Sequence, residues 1–280
     1  MTAPGTGAPP AGTSPAGKPR RRHRRTWTAV ALLGALLVLL PAAWQAFSLG
    51  AVRSDVLQGG SDGRPVGALE IVGGDADITV TPRGDRQVGY RAEVSWSLTP
   101  PSVDTSRLGD ALRLTARCPG ADSWRVVAAG CTVKLAVTVP AGIPVKVTAR
   151  SGRVYLAGLG GTVDAEVDAG RIEINGLRGA LRAKVDSGRL HAAGLTSPQA
   201  DVRVGSGSAA VTFLAPPDQV VGKVGSGRLA VIVPVATAFR TTCEAGVGRC
   251  EVPDGLRDDA APRTLDMEAG SGRAQALYGP

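Results

Sequence analysis

The sequence predicts an all-β fold, a β-solenoid of ~18–21-residue rungs, on three observations. A tetrapeptide recurs, as Ser-Gly-Arg-Val at 151–154, Ala-Gly-Arg-Ile at 169–172 and Ser-Gly-Arg-Leu at 187–190 and 226–229, with weaker copies at 206–209, 247–250 and 271–274. Its glycines (Gly152, Gly170, Gly188, Gly207, Gly227, Gly248 and Gly272) are spaced by 18, 18, 19, 20, 21 and 24 residues. A near-constant period of this length with one glycine turn per unit marks a repeat array. On both sides of the turn apolar and polar residues alternate at period two, so each repeat reads as two short half-buried strands around a corner.

Alignment on the glycine gives the columns. Five residues before it stand Val147, Ala165, Ala183, Val202, Gly222, Cys243 and Met267; two after it stand Val154, Ile172, Leu190, Ala209, Leu229, Cys250 and Ala274. None is charged. Strands recurring in one phase stack ~4.8 Å apart, and their apolar columns fuse into a continuous core. A second turn carries Gly158-Leu159, Gly176-Leu177 and Gly194-Leu195.

The outward columns are polar. Six residues before the glycine, Lys146, Asp164, Arg182 and Asp201 alternate in sign, as suits neighbours at strand spacing; four before it stand Glu166, Lys184, Arg203 and Lys223. Directly after the glycine come Arg153, Arg171, Arg189, then Ser208, Arg228, Arg249 and Arg273. These arginines form a candidate polyanion-binding ladder, because the guanidinium fork matches carboxylate and phosphate. Asp168 and Asp186 stand where they balance its first members. The competing reading is a solvated turn that discourages edge-to-edge pairing.

Residues 1–25 are expected to be a disordered cytoplasmic arm, Pro-, Gly- and Ala-rich up to position 19 and then basic through Arg20, Arg21, Arg22, Arg24 and Arg25. Residues 26–52 carry no charge, and about twenty apolar residues suffice for one transmembrane helix. Trp27, Trp44 and Phe47 lie towards its ends, where interfacial aromatics belong. The arginine cluster is the topology signal: N-terminus inside, the rest extracytoplasmic in the cell membrane. A cleaved signal peptide competes, but its apolar core is shorter, and Trp44 occupies the minus-three position for cleavage after Ala46. Lys18 and the five arginines account for six charges of the net +8. The basic balance therefore reports topology and argues against a nucleic-acid partner.

Residues 53–66 read as a Gly/Ser/Asp linker. Residues 67–140 read as a β-rich N-terminal part, with strands at 68–72, 77–81, 87–98, 111–117 and 133–139 and loops at 99–105 and 119–122. This part is expected to cap the solenoid, since arrays need a cap. The solenoid itself spans 141–276, with an inserted loop at 253–264, a last degenerate rung at 267–276, and a tail at 277–280. Cys118 with Cys131, and Cys243 with Cys250, form close pairs that read as disulfides in an exported domain. Neither pair has the spacing of a redox or zinc motif.

Catalytic chemistry has few candidates. His23 lies in the arm, and His191 has Glu173 and Ala210 as column neighbours with no nucleophile beside it. Asp164, Glu166, Asp168 and Glu173 are the acids a polysaccharide-cleaving solenoid would use, yet they fall in different columns beside Arg182 and Lys184. Gly73-Gly74-Asp75 is a single copy, not a calcium-binding nonapeptide repeat. The glycine pairs near 205–207 and 225–227 precede no helix, so they are turns and not a phosphate cradle. No enzyme activity, cofactor, metal or catalytic residue is expected.

The run Val133-Lys-Leu-Ala-Val-Thr-Val-Pro-Ala-Gly-Ile-Pro-Val-Lys-Val, leading into Ser151-Gly-Arg-Val and its repeats, resembles the putative-adhesin (toast-rack) domain family of bacterial envelope proteins, in a single-pass, actinobacterial-type form. The resemblance spans 67–276 and is strongest over 133–233. Family members often carry aspartate at the rung turn; arginine replaces it here. The resemblance implies a non-catalytic interaction, adhesin-like or scaffold module whose partner is a cell-wall polymer or envelope protein. Alternatives are an envelope-stress sensing component and, third, a polysaccharide-active enzyme.

Overall fold

The computed structural model of the chain describes residues 28–41, 52–61, 63–97, 99–118 and 131–279. The chain divides into two units, Met1–Gly50 and Ala51–Pro280. The described part of the first is a helix over 28–41. Among the described residues no helix is long and apolar enough to cross a membrane. The basic arm, with Arg20 to Arg25, and both ends of the expected span (26–27 and 42–51) lie outside the described residues.

The second unit is built of strands: β1 (Arg53–Gly60), β2 (Ala68–Arg83), β3 (Gly89–Trp96), β4 (Ser102–Leu108), β5 (Ala111–Arg117), β6 (Thr132–Pro140), β7 (Val145–Ala157), β8 (Val163–Asn175) and β9 (Leu181–Leu195). Then follow β10 (Gln199–Val204), β11 (Ser208–Phe213), β12 (Gln219–Val224), β13 (Arg228–Val233), β14 (Arg240–Ala245), β15 (Arg249–Glu251), β16 (Thr264–Ala269) and β17 (Arg273–Tyr278). A 3-10 turn, Asp254–Leu256, interrupts the loop before β16.

One rung shows how the pattern becomes a fold. In β7, Val145, Val147 and Ala149 are buried before the corner, and Val154 and Leu156 after it. The odd step from Ala149 to Val154 would reverse the face of a straight strand; the corner at Ser151-Gly152 turns the chain, so both halves point into one core. The next rungs repeat this without slip: β7, β8 and β9 are parallel, with Gly152↔Gly170↔Gly188 and Arg153↔Arg171↔Arg189 in register. A one-residue slip would put every apolar column in water, which fixes the register. At the second turn Leu159, Leu177 and Leu195 are fully buried, each after a glycine at φ near +68°.

Facing columns compensate in size. The residues five before and two after the glycine are both buried, Ala183 and Leu190, Met267 and Ala274, and in the rung of β12 and β13 Gly222 meets Leu229. A Cβ on Gly222 would stand 2.6 Å from the Leu229 Cδ2, so the leucine occupies the volume the glycine leaves.

Three expectations are corrected. Residues 53–66, read as a linker, contain β1, which pairs antiparallel with β3 from Arg53↔Trp96 to Gly60↔Gly89. The stretch at 99–105, read as a loop, enters β4, which pairs antiparallel with β5. The region 67–140 is not only a cap. β2 is a full rung in register with β7 (Ile71↔Val147, Asp75↔Ser151, Ile78↔Val154). It escaped the repeat alignment because Ala76 stands in the glycine column and Asp77 in the arginine column.

The stack also departs from chain order at both ends. β5 and β6 pair with the outer side of β2, opposite β7. At the other end β12 and β13 pair with β16 and β17, and only then come β14 and β15. The rung at 267–276, expected to be last and degenerate, is an interior rung with Leu265, Met267, Ala269, Ala274 and Ala276 buried. The loop before it carries the chain past β14 and β15, anchored by fully buried Phe239 and Leu256 and by the Phe239↔Arg257 bridge.

The disulfides form as the sequence predicts: Cys118–Cys131 with Cα atoms 6.0 Å apart, and Cys243–Cys250 at 5.7 Å. They lie at the outermost parallel rungs of the stack, β5/β6, beyond which antiparallel β4 and β3 follow, and β14/β15, where the pairing ends.

Candidate interaction surface

The parallel register turns each sequence column into a physical row. The arginine row runs Arg153–Arg171–Arg189–Ser208–Arg228–Arg273–Arg249, one residue per rung. At strand spacing its six steps cover about 29 Å. The insertion of β16/β17 exchanges the last two members relative to chain order. Its arginines are exposed except Arg171, which is half-buried, as is Ser208.

Upstream the row changes character. Asp77 occupies the position before Arg153 and accepts the Arg153 backbone N–H at 2.9 Å. Lys134 pairs with Asp77, and Glu93 with Lys134. The row thus begins with alternating charge and carries no acid from Arg153 on. A cleft of about 370 Å³ at its head is lined by Asp77, Arg91, Glu93, Lys134 and Arg153.

Carboxylates largely avoid the cationic part. Arg171 Nη1 lies 3.7 Å from Glu173 Oε1. Among the described residues the side chains of Arg153, Arg189, Arg228, Arg249 and Arg273 make no ion pair. Asp168 and Asp186 do not meet the ladder in the expected way. They stand before the corner, on the outer face of the other half-rung, where Asp186 is 3.7 Å from Lys184 and Asp168 shares a cleft with Arg117 and Arg150.

A second row flanks the glycines on the other side: Ser187, Ser206, Ser226 and Ser271. Ser206, Ser226 and Ser271 each donate a backbone N–H to the preceding rung (Asp186, Gly205 and Gly225 oxygens, 2.7–2.9 Å), which places the four serines one above another. Ser226 and Ser271 hydroxyls are 3.1 Å apart. This row was visible as the first letter of the repeated tetrapeptide, but sequence reasoning left it unused. One position further back, Asp168 and Asp186 give way to Gly205, Gly225, Gly270 and Gly246. On the rungs of β10/β11, β12/β13 and β16/β17 the corner is therefore a low track of glycine, serine and glycine with the arginine row along one rim, and on the β14/β15 rung the exposed Val247 takes the place of the serine.

The opposite outer face holds charge in balance. Its outermost row reads Arg113–Glu70–Lys146–Asp164–Arg182–Asp201, a strict alternation that begins two rungs before the part legible in sequence. Arg113 and Glu70 are 3.1 Å apart. In the neighbouring row Lys184 donates to Glu166 at 2.7 Å and Lys223 to Glu268 at 2.6 Å; Arg203 reaches back to Asp201 at 2.8 Å. The hydrogen bond to Glu166, with the charges of Glu166 and Asp186, holds the Lys184 ammonium above its ordinary pKa.

Each acid considered for catalysis thus has a cation beside it. Asp164 lies between Lys146 and Arg182, Glu166 meets Lys184, and Glu173 meets Arg171. His191 is exposed, between Glu173 and Ala210. Among the described residues no group of His, Cys, Asp and Glu is placed to hold a metal ion.

No family model matches the chain, and no curated protein matches it. Among solved structures it is similar to a putative cell adhesion protein from Clostridium sporogenes ATCC 15579, with TM-score 0.39 and 14% identity over 81% of this chain and 100% of that one. It is also similar to putative adhesins from Parabacteroides merdae ATCC 43184 (TM-score 0.30, 12% identity, 81% and 96% of the two chains) and Bacteroides fragilis NCTC 9343 (0.35, 10%, 80% and 97%). At these identities and TM-scores the likeness assigns no activity and no partner.

Proposed function

We propose that the chain is a non-catalytic interaction module of the cell envelope, adhesin-like or scaffolding. In this reading residues 26–52 span the membrane once and display the β-domain outside. The observation that carries the interaction reading is the arginine row: six guanidinium groups in one column, five without a carboxylate partner among the described residues. Like charges at strand spacing repel, so a row of this kind is better satisfied by an external anion than by itself. The balanced opposite face has no such deficit.

The test is binding of the full chain, purified in detergent micelles, to isolated cell wall and to anionic wall polymers across a salt series. The comparison protein carries Arg153→Ser, Arg171→Ser, Arg189→Ser and Arg228→Ser. Binding should weaken steeply between 0.1 and 1 M salt, where the screening length falls from about 10 Å to about 3 Å, and the variant should bind about tenfold less or worse. Equal binding by both proteins would return the arginines to a solvated turn.

A further inference from the structure

We infer that the corner from β9 to β15 is a linear binding track for a polysaccharide bearing one carboxylate on each sugar, lying along the stack axis. The inference rests on the interaction reading above and names its ligand class.

The first argument is pitch. The rungs advance by ~4.8 Å, close to the length of one sugar ring. A polymer with a carboxylate on every ring therefore brings one acid to each guanidinium: Arg189, Arg228, Arg273 and Arg249, with Ser208 supplying a hydroxyl at the remaining level. A planar guanidinium grips a carboxylate through two parallel N–H···O bonds. Inorganic polyphosphate carries its charges closer together than the rungs, and a polyol-phosphate chain carries them further apart.

The second argument is the serine row. Ser187, Ser206, Ser226 and Ser271 run parallel to the arginines at the same pitch. A hydroxyl donates one hydrogen bond and accepts two, as a sugar hydroxyl does. A phosphate chain offers acceptors alone and leaves that capacity unused. Relief is the third argument. On every rung of the track after β9, the glycines at 205, 225, 246 and 270 stand where β8 and β9 carry Asp168 and Asp186, removing both the bulk and the negative charge that would repel an acidic polymer.

The experiment measures binding of the full chain in detergent micelles to oligogalacturonates of defined length, their methyl esters, and inorganic polyphosphate, at low and high salt. Affinity should rise with each added sugar to about five rings, the number of levels from Arg189 to Arg249, and then level off. Methyl esterification, which removes charge but keeps shape, should abolish it. Arg228→Ser with Arg273→Ser should weaken oligogalacturonate binding at least tenfold, and Ser226→Val with Ser271→Val severalfold, with unchanged thermal melting in both variants. If polyphosphate binds through the same arginines while oligogalacturonate does not, the ligand class is overturned and the interaction face stands. If neither binds and the wall binding ignores the arginines, both are overturned.

Discussion

A methyl group added at Gly207 would strike the carbonyl oxygen of Gly188, and one at Gly227 the carbonyl oxygen of Gly207. The obstacle is backbone, which cannot swing aside. Gly207→Ala should therefore cost about 1–3 kcal/mol, the range for forced overpacking, whereas Gly74→Ala, with nothing within 4 Å of the added atom, should stay within about 0.5 kcal/mol. Urea unfolding of the two variants checks the contrast. At Gly222 the obstacle is the Leu229 side chain, 2.6 Å from the added Cβ. Gly222→Ala should destabilise alone and recover in part with Leu229→Val, a coupling that independent sites do not show. Lys184 adds a pH signature. Its folded pKa is raised, so its contribution is complete below the unfolded value of about 10.4 and is lost as pH rises through the folded value. The side chain is 45% exposed, so the Glu166 pair is worth less than about 1 kcal/mol. A Lys184→Met melting series from pH 7 to pH 11 should show the difference from the parent shrinking only at the alkaline end.

At the scale of elements, the alternating row Arg113–Glu70–Lys146–Asp164–Arg182–Asp201 is a register device. Arg182→Glu would line three acids on consecutive strands and should cost about 1 kcal/mol, more in low salt than in high. Chemical denaturation at two salt concentrations measures this. Four members of this row and all six ladder arginines were legible in the sequence, because identical spacing forces identical register. Rung β2 was not: Ala76 and Asp77 replace its Gly-Arg, and only pairing with β7 reveals it. β4 was hidden as well, since Pro100, Pro101 and the polar run after them carry turn chemistry while an antiparallel partner supplies the strand. β1 is mostly exposed and has no alternating apolar column of its own, with Leu57 alone packed against the core. Its order comes from β3, which no local pattern announces. The serine row was visible residue by residue, but only the stacked corners show that it runs alongside the arginines.

For the β-domain as a whole, interior rungs are held by neighbours on both sides, whereas the β14/β15 rung has one neighbour and a covalent bridge. Replacing Cys243 and Cys250 with alanine should therefore act locally. Amide exchange should quicken in β14 and β15, whose strands are largely exposed, while β8 and β9 keep their protection. The 7-residue separation of these cysteines encloses a short loop, so global stability should fall by no more than about 2 kcal/mol. If exchange rose uniformly along the stack, cooperativity would extend through every rung and the local account would be wrong.

The exchange of order at the far end makes the last strands of the sequence a keystone. β14 and β15 leave the exit channel before β16 and β17, yet in the folded stack those later strands are their partners, β16 standing between β14 and β12 and β17 between β15 and β13. Their folding therefore waits on residues 264–278, and a bridge between Cys243 and Cys250 can close a rung corner that still has nowhere to dock. A chain ending before residue 264 would lose two rungs by the removal of one. An affinity handle joined to the chain after β17 would leave from an interior rung of the stack and not from either of its ends.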